Sequence, residues 1–172
     1  MKKFFIAFLL LINAFIFLDS CGKHSQKYSY RWGDDGLIYN IDNDQLYTGI
    51  VRDTTDAIMN YEVVNGKKNG VFTAYYPGGQ IKKTGYMINN ENVGEWKYFF
   101  PDGQIESIGN FENSIPDGKW ISFYHSGNKK CEGNYRRGKE QGLWIYYNKK
   151  GKPENMILFD EGEFVDLQQK FS

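Results

Sequence analysis

Few of the side chains that commonly act in catalysis occur in this 172-residue chain. Its two histidines are His24 and His125, and a serine nucleophile needs such a residue as its general base. Ser126 follows His125 directly, but both fall next to a predicted tight turn, where adjacent residues do not easily reach the geometry of proton transfer. The sequence therefore predicts no catalytic residues, and His125 is interpreted as an exposed turn residue.

Acidic residues suggest two other kinds of site. Four aspartates lie close together at Asp34, Asp35, Asp42 and Asp44. Their spacing does not complete the twelve-residue calcium loop with its terminal glutamate, so turn formation explains them better and no metal or cofactor is predicted. A carboxylate pair for glycoside hydrolysis stays open, although the recurring glutamates fall on a predicted solvated face, where a raised pKa is not expected. These are Glu95, Glu106 and Glu132.

A 24-residue repeat organises most of the chain. Its copies open at Gly70, Gly94, Gly118 and Gly142. A large aromatic residue follows two positions later, at Phe72, Trp96, Trp120 and Trp144. A second glycine follows nine positions after the first, at Gly79, Gly103, Gly127 and Gly151. Such a period is typical of repeat proteins, whose neighbouring copies share a core and which usually serve as scaffolds or binding surfaces.

Each copy is predicted to form a β-hairpin. Asp102-Gly103 lies between two β-prone runs, and this pair favours a type I′ turn, in which both central residues have positive φ. The return connections, such as residues 113–117, are rich in asparagine, glycine and charge and are predicted to be surface turns. Pro116 falls in one of them, where its missing N–H would cost nothing.

Strand alternation assigns the side chains to two faces. Counting outward from the turn pairs Trp96 with Gly109, so that the indole can cover the bare backbone, and pairs Phe100 with Ile105. The predicted core face of this copy carries Trp96, Tyr98, Phe100, Ile105 and Phe111. The opposite face is polar except at one recurring aromatic position, occupied by Tyr75, Phe99, Phe123 and Tyr147. This aromatic row either grips a peptide, a glycan or a lipid surface, or shields the second side of a thin sheet, or packs on the terminal segment.

The N-terminus has the pattern of an export signal. Lys2 and Lys3 precede an apolar run over residues 4–18, which is short for a membrane-spanning helix. The run ends in Leu-Asp-Ser-Cys-Gly, which resembles the lipobox of bacterial lipoproteins. By that resemblance Cys21 becomes the lipidated first residue of the mature chain, and its acyl chains anchor the protein to a membrane. A plain signal peptide or an uncleaved anchor is the alternative.

Charge and cysteine content limit the partners and the covalent framework. Removal of residues 1–20 leaves 19 basic and 20 acidic residues, so no binding of nucleic acid is expected. If Cys21 is acylated, Cys131 has no partner and is interpreted as a small packing residue rather than as part of a disulfide framework.

The repeated phrase resembles the variant MORN repeat of bacterial proteins, many of which carry the label of an antitoxin family. The resemblance covers residues 49–163 and implies an all-β fold, an elongated antiparallel meander of stacked 24-residue β-hairpins. The expected organisation is a signal peptide at 1–20, the lipidated cysteine and a tether at 21–30, a repeat domain at 31–163 and a C-terminal cap at 164–172.

These features together predict a non-enzymatic lipoprotein of the bacterial cell envelope. It is expected to bind another protein or an envelope polymer through its sheet, with the aromatic row as the contact surface. Two alternatives remain open. One is an antitoxin-like protein that neutralises a toxin by direct binding, and the other is an envelope hydrolase with an unrecognised acidic site.

Overall fold

The computed structural model describes residues 29–54 and 58–165. In these ranges the backbone forms thirteen β-strands and no helix. Two short strands come first, β1 (Tyr30–Trp32) and β2 (Ile38–Asn40). The remainder are β3 (Gly49–Asp53), β4 (Met59–Val64), β5 (Lys67–Tyr75), β6 (Ile81–Ile88), β7 (Glu91–Phe99), β8 (Ile105–Glu112), β9 (Ile115–Phe123), β10 (Lys129–Arg136), β11 (Lys139–Tyr147), β12 (Pro153–Asp160) and β13 (Glu163–Phe164).

Strands β3 to β13 form one antiparallel sheet in which the spatial order is the chain order. Each strand is therefore hydrogen-bonded to its neighbours in sequence, and the predicted all-β meander of stacked hairpins is confirmed. With neighbouring strands about 4.8 Å apart, eleven strands make a sheet roughly 48 Å long. Strands β1 and β2 form a separate two-stranded sheet. No helix within the described residues is long and apolar enough to span a membrane.

The hairpin loops at the Asp102-Gly103 type of position are not type I′ turns, so that prediction is wrong. Gly103 has a φ of +89°, whereas Asp102 is not among the residues with positive φ. The Phe100 N–H donates to the Gln104 carbonyl at 2.8 Å, which encloses a three-residue loop. Such loops combine a type I turn with a left-handed glycine and a β-bulge. The same hydrogen bond closes the other three loops, at Tyr76–Gln80, Tyr124–Asn128 and Asn148–Lys152.

Type I′ geometry occurs instead at the return connections. Asn113 and Ser114 have φ values of 50° and 65°, and the strands on both sides continue up to this pair. The same two-residue turn recurs at Asn65-Gly66, Asn89-Asn90, Arg137-Gly138 and Glu161-Gly162. The return connections are turns as predicted, but each has two residues rather than the five assigned to it, and Pro116 lies within β9, opposite Phe111. The twist of a type I′ turn matches that of the strands that it joins, which explains why so short a connection suffices.

A β-bulge in each repeat moves one predicted core residue to the other face. Trp96 pairs with Gly109 as predicted, but the register shifts between Tyr98 and Phe99, so that Ile105 pairs with Phe99 rather than with Phe100. One extra residue reverses the direction of the side chains that follow it. Ile105 is consequently 36% exposed and lies beside the aromatic row, which corrects its assignment to the core.

The main core lies on one face of the N-terminal half of the sheet. Its buried members are Ile38, Val51, Tyr61, Val63, Phe72, Ala74, Met87 and Trp96. Strands β1 and β2 pack at this end, where the Ile38 N–H donates to the Gly66 carbonyl at 2.9 Å. Tyr30, which the sequence assigned to the tether, lies in β1, and its hydroxyl donates to the Arg52 carbonyl at 2.7 Å.

The C-terminal end of the sheet is less covered. Strand β13 has two residues, and the Val165 N–H donates to the Leu158 carbonyl at 2.8 Å. Phe164, the first residue of the predicted cap, pairs with Phe159 and is 66% exposed. The rest of that cap beyond Val165, the signal peptide and Cys21 lie outside the described residues.

Candidate binding surfaces

Aromatic rings form a continuous line across one face of the sheet, which we call the aromatic ladder. Its members are Tyr61, Phe72, Trp96, Phe111, Trp120, Tyr135 and Trp144. Successive ring centroids lie 5.2–6.1 Å apart, within the range of favourable ring–ring contact. The ladder includes the recurring aromatic residue of all four copies, so these side chains hold the repeats together.

Each tryptophan of the ladder covers a glycine of the preceding hairpin. A Cβ atom placed on Gly109 would overlap the Trp120 ring, although Gly109 also pairs with Trp96 of its own hairpin. The corresponding pairs are Gly85 with Trp96 and Gly133 with Trp144. The predicted pairing within the hairpin is thus correct, but the ring that covers the glycine comes from the next copy. This contact joins one repeat to the next.

Trp120 is packed differently from the other two tryptophans of the ladder. The indole N–H groups of Trp96 and Trp144 each donate to a backbone carbonyl at 3.2 Å, and these rings are only 1% and 2% exposed. Trp120 is partly exposed and places its six-membered ring over Gly109. Among the described residues, its indole nitrogen has no protein hydrogen-bond partner.

A cleft of about 370 Å³ lies beside Trp120 on the ladder face. Ser107 and Ser122, which pair across β8 and β9, form its floor, and we call it the serine cleft. Its walls include Phe100 and His125. The cleft exists because two adjacent strands carry small side chains at the same level.

His125 lies at the rim of the serine cleft and is exposed, as expected for a turn residue. Its Nε2 lies 2.8 Å from an Asp102 carboxylate oxygen, and its ring centroid lies 4.7 Å from that of Phe100. The pKa of Asp102 is lowered, mainly by the backbone N–H of Gln104 and to a smaller extent by His125. In the described chain His125 makes no hydrogen bond to a serine hydroxyl, so its contact is with Asp102 of the neighbouring turn and not with a nucleophile.

The aromatic row lies on the opposite face, and all four rings are partly exposed. Its two tyrosines are fixed by hydrogen bonds: the Asn60 amide donates to the Tyr75 hydroxyl at 3.2 Å, and the Tyr147 hydroxyl donates to Glu132 at 2.6 Å. Phe99 and Phe123 have no such polar contact. The row therefore combines two positioned ends with an apolar middle.

Glu132 does not have the environment of a general acid. Its side chain is 17% exposed, less than the solvated position predicted for it, and accepts hydrogen bonds from Lys129 at 2.8 Å and from Tyr147. These contacts, with Lys129 first, lower the pKa of Glu132. A glycosidase acid requires the opposite shift. Glu95 is exposed and pairs with Lys97 at 3.2 Å, and Glu106 is also exposed.

Two lysines cover the N-terminal part of the ladder, and the sequence analysis missed them. The Lys68 ammonium lies 4.8 Å from the Tyr61 ring centroid, and that of Lys83 lies 5.5 Å from Phe72 and 5.7 Å from Trp96. Burial is the main cause that lowers the pKa of both lysines. Alternation counted back from Gly85 places Lys83 on the ladder face, and this signal could have identified it.

Comparison with known families agrees with this architecture. Residues 68–89, 92–113 and 116–137 match the family model described as the MORN repeat variant. These segments correspond to the three hairpins β5–β6, β7–β8 and β9–β10, so the match and the hairpin repeat coincide. The flanking hairpins β3–β4 and β11–β12 continue the same sheet outside the matched segments. No curated protein matches the chain.

Proposed function

We propose that this protein is a non-enzymatic lipoprotein of the bacterial cell envelope that binds another macromolecule through the row face of its sheet. The observation that carries the proposal is the exposed apolar surface along the aromatic row. The bulges place Ile81 and Ile105 beside Tyr75 and Phe99, and these isoleucines are 40% and 36% exposed. Apolar surface that continues across several strands and faces solvent is typical of interaction sites.

The partner is a protein or an envelope polymer. Rings that repeat on alternate strands, about 10 Å apart, suit an extended chain that crosses the strands. The near balance of charge in the mature chain gives no general attraction to nucleic acid. An antitoxin-like role would use the same kind of contact with a toxin as the partner.

Lipidation of Cys21 would hold the repeats at a membrane surface, because two or more acyl chains give stable anchoring. Incorporation of labelled palmitate into the full chain tests this part of the proposal. Cys21→Ser should abolish the label and release the protein from the membrane fraction, whereas Cys131→Ser should leave both unchanged. Retention of the label in Cys21→Ser would contradict the lipoprotein assignment.

Binding by the row is tested with the lipid-free mature chain and envelope extracts. Replacement of Phe99 and Phe123 by serine should remove the captured species while thermal unfolding stays cooperative. The matched control replaces Val71 and Leu143, which are 48% and 50% exposed on the same face away from the row. Equal capture by the row variant and the wild type would exclude the row as the contact surface.

Hydrolytic activity separates the proposal from its enzymatic alternative. The purified chain is incubated with peptidoglycan and with envelope polysaccharides, and soluble fragments are measured. We expect no turnover, since Glu132 is held ionised by Lys129 and Tyr147. Turnover that is lost in Glu132→Gln and retained in Glu95→Gln would replace the binding function with a hydrolytic one.

A further inference from the structure

The serine cleft occupies a position that the repeats on either side fill with a tyrosine ring, whereas the first copy carries Ala74 there. Across the sheet, Tyr98, Ser107, Ser122, Cys131 and Tyr146 stand side by side on strands β7 to β11. Three small side chains thus separate two tyrosines. Ser122 is the counterpart of both tyrosines in the 24-residue period, because it lies 24 residues after one and 24 before the other.

The tyrosines on either side show how a ring packs at the repeat position that Ser122 occupies. The Tyr98 ring packs against Trp120 with centroids 6.0 Å apart, and the Tyr146 ring packs against Trp144 at 6.4 Å. Both contacts are tilted, at 37° and 31°. At Ser122 no ring is present, and Trp120 remains partly exposed where Trp96 and Trp144 are buried.

The cleft has the size and the walls that an aromatic ring requires. Its volume is about 370 Å³, and a cavity of roughly 150 Å³ already admits benzene. The Trp120 and Phe100 rings supply apolar walls, and the centroid of the His125 ring lies 4.7 Å from that of Phe100. Glu106 and Lys130 add charged groups to the lining. In the described chain the hydroxyl groups of Ser107 and Ser122 have no hydrogen-bond partner, so both are available to a polar atom on the ligand.

We propose that the serine cleft binds a tyrosine side chain of a partner polypeptide, which takes the place of the ring that Ser122 lacks. The protein's own tyrosines supply the reason for this choice, since the same level of the same ladder holds phenol rings on both sides of the gap. The cleft opens beside Trp120 on the ladder face, and Phe123 of the aromatic row also borders it. The inference goes beyond the proposed function, because it assigns a ligand to the serine cleft and does not require the lipid anchor.

Fluorine NMR of protein labelled with 5-fluorotryptophan tests the inference directly. The chain has four tryptophans, and the Trp120 signal is assigned from its loss in Trp120→Phe. N-acetyl-tyrosinamide should shift the Trp120 signal saturably, in the millimolar range expected for one side chain, while the Trp96 and Trp144 signals stay in place. N-acetyl-alaninamide is the matched ligand control. A Trp120 signal unmoved by the tyrosine ligand would overturn the inference.

A saccharide is the competing ligand class, because aromatic rings with nearby hydroxyls also bind sugars. Oligomers of N-acetylglucosamine are titrated in parallel with the tyrosine ligand. We expect no saturable shift of the Trp120 signal with the sugar. A response to the sugar in the absence of a response to the tyrosine ligand would replace the inference with a glycan site.

Ser122→Tyr provides an independent test, because it fills the cleft from within. We expect this variant to lose the response to N-acetyl-tyrosinamide and to unfold about 2–4 °C above the wild type, as the added ring covers Trp120. Ser122→Ala is the matched control and should keep the response, since it leaves the space open. A Ser122→Tyr protein that folds cooperatively but melts below the wild type would show that the space does not fit a ring.

Discussion

The N-terminal half of the aromatic ladder and the region around Trp120 have the same backbone and different packing. In the N-terminal half, Tyr61, Phe72 and Trp96 are nearly inaccessible to solvent, and the ammonium groups of Lys68 and Lys83 lie over them. Further along, Trp120 is partly exposed beside an open cleft. Repetition of the backbone therefore does not ensure equal packing, because Trp120 is partly exposed although Trp96 and Trp144 occupy the same repeat position and are buried.

The residue that lies eleven positions before each ring of the repeat also differs along the sheet. Gly85, Gly109 and Gly133 are each followed eleven residues later by the tryptophan that covers them. At the N-terminal end of the same column, Tyr61 precedes Phe72, and the two rings stack at 6.0 Å with an interplanar angle of 12°. At the C-terminal end Ile157 has no following tryptophan to accommodate. Glycine thus occurs where an indole must lie on the backbone.

The largest expected difference between these two regions is the loss of stability when an indole is removed. Trp96→Ala should lower the free energy of unfolding by about 3–5 kcal/mol, as removal of a buried tryptophan side chain generally does. Trp120→Ala should cost less, because Trp120 is already partly exposed and lacks the indole hydrogen bond of Trp96. Urea unfolding measures both values, and equal losses would contradict the difference in packing.

A methyl group under an indole should have the next largest effect. Gly133→Ala is expected to destabilise by about 1–3 kcal/mol, since its Cβ would overlap the buried Trp144 ring. Gly109→Ala should cost less, because the more exposed Trp120 ring can move outward. A double-mutant cycle with Trp144→Phe checks the cause, and the Tyr61–Phe72 pair predicts partial rescue. Additive losses in that cycle would refute steric overlap with the indole.

The lysines of the N-terminal half should produce a dependence on alkaline pH. Burial lowers the pKa of Lys83 in the folded protein, so the unfolded chain binds more protons between that value and the ordinary 10.5. Stability should therefore gain a favourable contribution from Lys83 as the pH rises through this window. Chemical unfolding between pH 8 and 10.5 should show a smaller upward trend in Lys83→Met, whereas replacement of the exposed Lys149 by methionine should leave the trend unchanged.

The smallest expected effect concerns the Tyr147 hydroxyl on the row face. The hydrogen bond from Lys129 is the main cause that lowers the pKa of Glu132 in the folded state, and the bond from the Tyr147 hydroxyl adds to it. That contribution to stability is present above the ordinary value of 4.5 and is lost as the pH falls through the lowered pKa. Tyr147→Phe should be slightly less stable than the wild type at pH 7, and the difference should shrink in acid. A difference that is constant with pH would exclude Glu132 as its source.

Much of the fold could be predicted because local patterns determine a meander. The period placed every hairpin, and outward counting from Asp102-Gly103 paired Trp96 with Gly109 correctly. The turn type was wrong because a glycine with positive φ suits both a type I′ turn and a bulged three-residue loop. The loop has one residue more than a type I′ turn, and the bulge adds one residue that compensates for it. The pairing is therefore as predicted from Tyr98 onward, whereas Ile105, between the loop and the bulge, lies on the row face.

The binding surfaces were less predictable, because they depend on contacts between repeats. Alternation places Gly109 between Trp96 and Trp120 without indicating which ring covers it. The open space beside Trp120 is indicated in the sequence, since serine at position 122 replaces the tyrosine of the copies on either side. That signal becomes meaningful only when the register shows that Ser107 lies next to it.

The two-residue return turns have a consequence for how the molecule could change in length. Each repeat enters and leaves through the same short turn, so insertion of a further 24-residue unit would preserve every neighbouring pairing. Such an insertion would extend the sheet by two strands, about 10 Å, and would add two rings to the aromatic ladder and one to the aromatic row. A further unit would not fit directly after Ile157, because its indole would have no space on the backbone there. The span between the two edges can therefore vary in uniform steps while the local chemistry stays constant.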